Sequence, residues 1–138
     1  MLLLKTFFAR TALVLLCLAT LASEAALGQS LSPMRAEVVT FGDVGAVRTS
    51  LRNPYTTARR FDIEVFDLDW NKVDDARLTR KTLSLAPGAT TSILALLPVT
   101  DENPRSVYVC ASSRSYRPTS AGLRGQVCGR YQVIKRQL

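Results

Sequence analysis

The sequence has 138 residues, a formal net charge of +7, three cysteines and no histidine. This length suits a single domain. The missing histidine removes the commonest general base and the commonest metal ligand, and the sequence contains neither a G-x-S-x-G motif nor a glycine-rich phosphate loop. We therefore expect no enzyme activity and no cofactor.

Residues 1–28 have the pattern of a secretory signal peptide. Two basic residues, Lys5 and Arg10, precede an apolar run at residues 12–22. This run is shorter than an ordinary membrane-spanning helix. Two cleavage points fit the small residues that follow, after Ala25 and after Gly28. We expect the second, which begins the mature chain at Gln29; an uncleaved membrane anchor is the alternative. The sequence predicts an exported domain at residues 29–138 with no membrane insertion after the signal is removed.

Two cysteines, Cys110 and Cys128, fall in the mature segment, because Cys17 lies in the apolar run. An even pair of cysteines in an exported chain predicts a disulfide. A metal site is the alternative, but it lacks partners because the chain has no histidine and no third mature cysteine. We expect a Cys110–Cys128 disulfide and no metal.

After the signal segment the sequence predicts an all-β sandwich of seven or eight short strands, because strand-like segments alternate with turn residues. The predicted strands are residues 32–41, 46–52, 60–70, 78–85, 93–97, 105–113 and 126–135. Apolar residues recur at every second position in most of these segments, which indicates that one face of each is buried. The segment at 78–85 has the weakest pattern and is predicted to lie at an edge.

The third segment, RFDIEVFDLDW at residues 60–70, changes face in its middle. Apolar residues alternate with acidic ones up to Val65, and a second alternation of opposite parity then runs from Phe66 to Trp70. One extra residue at this point predicts a β-bulge. A strand buried on both faces is the alternative, but its four carboxylates would be costly to bury. We expect Trp70 to be at least half buried near the end of the bulged strand.

The last two segments form a consistent antiparallel hairpin if Cys110 faces Cys128. Tyr108 then faces Arg130, and Ser106 faces Gln132. In this register, apolar side chains collect on one side of the hairpin: Val107, Val109, Ala111, Val127, Tyr131 and Val133. The polar residues and the disulfide share the other side.

Charge is distributed unevenly along the chain. Seven basic residues and no acidic residue occur from Pro104 to the end, whereas six acidic residues fall between Asp62 and Asp75. A polypeptide carboxylate or an anionic envelope polymer would fit the basic hairpin; a solvated face is the alternative. The acidic stretch lacks the glycine and glutamate of a calcium loop, and no stacking motif for nucleic acid is present. We expect neither calcium nor nucleic acid as a partner.

Five motifs follow one another in the mature segment: LSPMRAEV, SLRNP, a strand ending in FDLDW, LSLAPGATTSI and RSVYVCASS. In this order they resemble the N-terminal domain of PapD-like periplasmic pilus-assembly chaperones. The resemblance implies a single immunoglobulin-like seven-stranded β-sandwich in the periplasm. It also implies a disulfide between the last two strands, as in one subgroup of these chaperones.

In that family, one basic residue on the first strand and another on the last strand bind the terminal carboxylate of a pilin. The resemblance assigns the first role to Arg35. Alignment of the last strand assigns the second to Gln132, which is not basic; Arg130 or Lys135 would fit in a shifted register. The implied function is a chaperone or accessory factor that binds unfinished pilus or fimbria-like subunits through edge strands. A structural or adhesive envelope module of the same fold is the alternative.

Overall fold

The computed structural model describes residues 29–100, 104–114 and 125–137, so the expected signal peptide at residues 1–28 lies outside the described residues. The described ranges contain nine β-strands and no helix that is long and apolar enough to cross a membrane. In chain order the strands are β1 (Ser30–Ser32), β2 (Arg35–Thr40), β3 (Val44–Arg52), β4 (Arg59–Phe66), β5 (Arg77–Leu78), β6 (Thr82–Leu85), β7 (Thr90–Pro98), β8 (Arg105–Arg114) and β9 (Gly125–Lys135).

The strands form two sheets, one in the order β1-β3-β7-β5 and the other in the order β2-β9-β8-β4-β6. Neighbouring strands are antiparallel except β2 and β9, which are parallel. Two stretches of chain, β1–β2 and β5–β6, each pass from one sheet to the other. If each stretch is counted as one strand, the total is seven, in the two-sheet arrangement of an immunoglobulin domain. The predicted all-β, immunoglobulin-like sandwich is therefore confirmed.

The core lies between the two sheets and is built from every second residue of the long strands. Phe61, Ile63 and Val65 face it from β4, and Ile93, Ala95 and Leu97 face it from β7, as their alternation predicts. Complete burial of a large apolar side chain stabilises the fold by about 1.5–3 kcal/mol. These side chains belong to the buried apolar cluster that packs the two sheets together.

The predicted bulge in the third segment is wrong. Strand β4 pairs with β8 residue for residue, from Arg60 opposite Arg114 to Phe66 opposite Tyr108. The strand ends at Phe66, and the chain then turns, with the N–H of Asp67 donating to the carbonyl of Asn71 at 2.9 Å. The second alternation does not belong to a strand: Leu68, Asp69 and Trp70 lie on this turn and are all exposed.

The predicted burial of Trp70 is also wrong. Its side chain lies on this turn and is 56% exposed. A bulged strand would have carried the indole towards the core, whereas the turn holds it on the outer surface of the five-stranded sheet. The residue contributes to that surface and is not part of the core.

The predicted hairpin is confirmed in detail. Strands β8 and β9 pair with Cys110 opposite Cys128, Tyr108 opposite Arg130 and Ser106 opposite Gln132. The two sulfur atoms are bonded, with an S–S distance of 2.09 Å. The disulfide therefore joins neighbouring strands of the five-stranded sheet, on the face away from the core.

Candidate functional site

The three residues that the sequence singles out for carboxylate binding come together where β2 lies beside β9. Arg35 is the direct neighbour of Arg130, and Glu37 is the direct neighbour of Gln132. These four side chains and Ala36 line an open groove of about 430 Å³. The basic neighbour of Arg35 is therefore Arg130, and Gln132 lies two residues further along β9. Their roles in binding stay predictions.

Two hydrogen bonds fix the start of β2 against β9, and they determine where Arg35 lies. The backbone N–H of Arg130 donates to the carbonyl of Met34 at 2.8 Å. The hydroxyl of Tyr131 donates to the carbonyl of Pro33 at 2.5 Å. The Tyr131 ring is buried in the core, and this burial raises the pKa of its hydroxyl. The start of β2 is thus held by the backbone of β9 and by the buried Tyr131.

Both arginines at the groove are exposed, and neither forms an ion pair or a side-chain hydrogen bond with another described residue. Glu37 is the one acidic side chain lining the groove. Lys135, the other basic candidate, lies elsewhere and binds the Asp43 carboxylate at 2.7 Å, which lowers the pKa of Asp43. Two guanidinium groups side by side can hold an external carboxylate with paired hydrogen bonds.

The row that begins with Arg35 and Arg130 continues across the sheet into aromatic side chains. Arg130 is opposite Tyr108, and Tyr108 is opposite Phe66. The Trp70 ring stacks on Tyr108, with 4.7 Å between centroids and 6° between planes, and lies 5.9 Å from Phe66. We call Phe66, Trp70 and Tyr108 the aromatic ledge. Sequence reasoning missed the ledge, although the predicted hairpin register already set Tyr108 beside Arg130.

The turn at residues 67–71 orients Trp70 on the ledge. Trp70 has a φ of +64°, which is rare for a bulky residue and costs about 1–3 kcal/mol. The Asp67 carboxylate compensates by accepting hydrogen bonds from the backbone N–H groups of Asn71 at 2.8 Å and Asp69 at 2.9 Å. The bond from the Asn71 N–H is the main cause that lowers the pKa of Asp67.

The acidic turn does not form a metal site in the part of the chain described here. Asp67 uses both oxygens within the turn, because its second oxygen accepts a bond from the Asn71 side-chain amide at 3.1 Å. Within residues 29–100, 104–114 and 125–137, no three His, Cys, Asp or Glu side chains are arranged to hold a metal ion. The Asp67 carboxylate orders the turn.

The first half of β9 has a free edge that ends at the two arginines. Strand β2 pairs with β9 only from Arg130 onwards, so residues 125–129 have no partner strand on that side among the described residues. Because the N–H of Arg130 points towards β2, strand alternation turns the N–H and C=O groups of Gln126 and Cys128 to the same edge. Such an edge can pair with an added strand.

Comparison with solved structures identifies the fold. The chain superimposes on the E. coli chaperone DraB with a TM-score of 0.63, at 11% identity over 79% of this chain and 55% of DraB. It superimposes on a chain of the Salmonella enterica SafA pilin–SafB chaperone complex with a TM-score of 0.64, at 12% identity over 82% of this chain and 57% of that chain. The chain has a PapD-like fold.

A third similar structure is a PapD-like domain of human CEP192, with a TM-score of 0.60 at 7% identity, covering 81% of this chain and 87% of the domain. No protein-family model and no curated protein sequence matches the chain. The chain spans little more than half the length of the two bacterial chains. These identities are low, so the similarity establishes the fold and leaves function to the site.

Proposed function

We propose that this protein is a periplasmic chaperone or accessory factor that binds the carboxyl-terminal segment of a pilin-like surface-fibre subunit. The observation that carries the proposal is the pairing of Arg35 with Arg130 at the point where the free edge of β9 ends. An added strand and a terminal carboxylate would meet there. The pilin–chaperone complex among the similar structures supports a subunit of this kind as the partner.

The geometry of β2 and β9 selects the direction of the bound segment. A client strand on the edge at residues 125–129 would continue the line of β2, which runs parallel to β9. If the client also ran parallel to β9, its carboxyl terminus would end beside Arg35 and Arg130. An antiparallel client would bring its terminal ammonium group to the same two cations, which would repel it. We therefore infer a parallel client strand.

Backbone pairing would supply much of the binding, because the free part of β9 carries few apolar side chains. Its core-facing positions are Gly125, Val127 and Gly129, so only Val127 could contribute an apolar side chain to an unfinished subunit. The backbone N–H and C=O groups of this edge can form hydrogen bonds with a strand of any sequence. The carboxylate contact would then determine where along β9 the client binds.

The test is capture of candidate fibre subunits by wild-type protein and single variants. Arg35→Ala and Arg130→Ala should each weaken binding by about 2 kcal/mol, because each removes a charge-assisted contact to the client carboxylate. Gln132→Lys should leave binding unchanged or strengthen it, since it adds a cation to the groove. Arg48→Ala is the matched control: Arg48 is exposed on β3 in the opposite sheet.

Thermal melts accompany the binding measurement. The free energy of unfolding of each of the four variants should lie within about 0.5 kcal/mol of the wild-type value, as is usual for surface substitutions. Equal capture of a subunit by wild type, Arg35→Ala and Arg130→Ala would contradict the proposed site. A loss of capture by Arg48→Ala equal to that of the groove variants would show that net charge, and not the groove, drives binding.

A structural or adhesive module of the cell envelope is the second candidate function. This chain matches most of one PapD-like domain of CEP192. The same sandwich therefore occurs as a module in a protein other than the bacterial chaperones. This function predicts that the protein remains in purified surface fibres or envelope fractions after assembly. A chaperone would be absent from mature fibres and present with soluble subunits.

A further inference from the structure

The aromatic ledge lies beside the two arginines, and binding of a carboxylate alone would leave it unused. Arg35, Arg130, Tyr108 and Phe66 occupy one row across four adjacent strands. Neighbouring strands are about 4.8 Å apart, so Tyr108 is one strand spacing beyond Arg130 and about 10 Å from Arg35. A single small ligand could therefore contact both the arginines and the aromatic rings.

Trp70 offers an apolar surface at the end of this row. One face of its ring covers Tyr108, and the residue is still 56% exposed, so part of the indole remains open to a ligand. The hydrogen bonds from Asn71 and Asp69 to Asp67 hold the turn that carries it. A rigid, exposed aromatic residue next to a charged contact is typical of residues that contribute strongly to binding.

We propose that the ledge binds an aromatic side chain at the carboxyl-terminal residue of the client. The carboxylate would lie between Arg35 and Arg130, and the side chain of the same residue would cross Arg130 and stack on Tyr108 and Trp70. This inference rests on the proposed function and adds a preference to it: clients that end in phenylalanine or tyrosine. An aromatic ring gains more than its buried area alone because it can stack in an offset or edge-to-face geometry.

Charge in the groove favours a single carboxylate over an anionic polymer. Glu37 lies in the same groove as the two arginines, directly opposite Gln132. A repeating polyanion that followed the groove would bring further charges against this carboxylate. One terminal carboxylate can contact the arginines and stop short of Glu37. A peptide terminus is therefore the occupant that the arrangement fits, and a polyuronate serves as the competing ligand in the test.

The experiment uses three synthetic peptides of one strand-forming sequence without tryptophan. They end in phenylalanine with a free carboxylate, alanine with a free carboxylate, or phenylalanine amide. Trp70 is the only tryptophan of the chain, so its fluorescence reports contact with the ledge. We expect the phenylalanine acid to bind at least tenfold more tightly than either other peptide. It alone should shift the Trp70 emission.

Single variants separate the contribution of the arginines from that of the aromatic ledge. The affinity of each variant for the three peptides is measured by calorimetry. Tyr108→Ala and Trp70→Leu should reduce the preference for phenylalanine over alanine to below threefold but keep the preference for acid over amide. Arg130→Ala should do the opposite. Leu68→Ala is the control, because Leu68 is 45% exposed on the same turn and takes no part in the stack. Thermal melts identify any variant that fails to fold. If one of the two ledge variants does, the peptide affinities of the other test the inference.

The possible results distinguish this inference from the proposed function. Equal affinity for the phenylalanine and alanine acids, with amide binding weaker, would overturn the aromatic preference and leave carboxylate binding intact. Equal affinity for acid and amide would contradict the proposed function itself. Binding of polygalacturonate that depends on Trp70 and Arg130, without binding of any peptide, would make the row a polysaccharide site and refute both.

Discussion

Trp70 combines an unusual backbone angle with an exposed position. Its φ of +64° would be easier for glycine, yet the indole stacks on Tyr108, which a glycine could not do. Hydrogen bonds from Asn71 and Asp69 to the Asp67 carboxylate stabilise the turn against this strain. Strained residues of this kind often mark functional surfaces. A bulged strand, as the residue pattern predicts, would have carried the ring towards the core.

Asn53 is a second residue whose importance only its contacts reveal. It is completely buried, and its side-chain amide donates to the carbonyls of Thr57, Leu85 and Ala86 at 3.0–3.1 Å. Its side-chain oxygen accepts a bond from the N–H of Tyr55 at 3.1 Å. The sequence indicates only that a strand stops at Asn53. In the fold this side chain joins two loops at one end of the sandwich.

We predict that Asn53→Ala lowers the free energy of unfolding by about 3 kcal/mol. The substitution leaves the buried Leu85 carbonyl and two partly buried carbonyls without this donor, and an unsatisfied buried polar group costs about 1–3 kcal/mol. Urea denaturation of wild type and variant measures the difference. Thr56→Ala is the control on the same loop, because Thr56 is exposed. A change in Asn53→Ala no larger than that in the control would contradict the structural role.

At the scale of elements, β9 joins the core to the candidate site. The inward-facing Gly129 leaves room for the Tyr131 ring, and a Cβ atom at residue 129 would collide with the Tyr131 ring and hydroxyl. That hydroxyl donates to Pro33, two residues before Arg35. A glycine on the last strand thus allows the contact that holds the first strand in place.

We predict that Gly129→Ala destabilises the fold by about 2 kcal/mol, because an added methyl group in a packed region forces neighbouring side chains to move. Displacement of Tyr131 would also loosen Pro33, so client capture should fall with stability. Thermal melts and the capture assay measure the two effects. Gly42→Ala is the control, since a Cβ at Gly42 would contact nothing within 4 Å. Wild-type stability in Gly129→Ala would show that Tyr131 can be displaced at little cost.

At the scale of the whole molecule, the disulfide closes the hairpin that carries Arg130 and Tyr108. Cys110 and Cys128 are 18 residues apart in sequence. We predict that replacing both with alanine lowers the free energy of unfolding by about 3 kcal/mol, as chain entropy gives for a loop of this size. The sandwich core should keep the variant folded, since the core-facing side chains stay the same.

Melts with and without reductant measure the contribution of the disulfide. Reductant should lower the melting temperature of the wild type and leave that of the double alanine variant unchanged. Peptide mapping under non-reducing conditions provides an independent check. Free Cys110 and Cys128 thiols in the purified protein, or a bridge between two chains, would contradict the intramolecular bond.

Local patterns in the sequence determined the fold class and much of the last hairpin. Alternation along β3, β4 and β7 predicts which residues face the core, because side chains of a strand point to opposite faces in turn. The Cys110–Cys128 pair predicts the register of β8 and β9, because one fixed contact determines all other neighbours in an antiparallel ladder. The order of five motifs was sufficient to indicate the PapD-like fold, although each motif is short.

Only the tertiary structure decided which residues meet at the candidate site. Arg35 and Arg130 belong to strands from opposite ends of the domain that pair in parallel, and no turn sets their register. The alignment of the last strand therefore assigned the position to Gln132, and only the structure shows that the neighbour of Arg35 is Arg130. The ledge depends on where β4 ends, and the hydrogen bonds of Asp67 determine that point by closing a turn. Alternation describes the faces of a strand, but contacts between distant segments determine where it stops and what lies beside it.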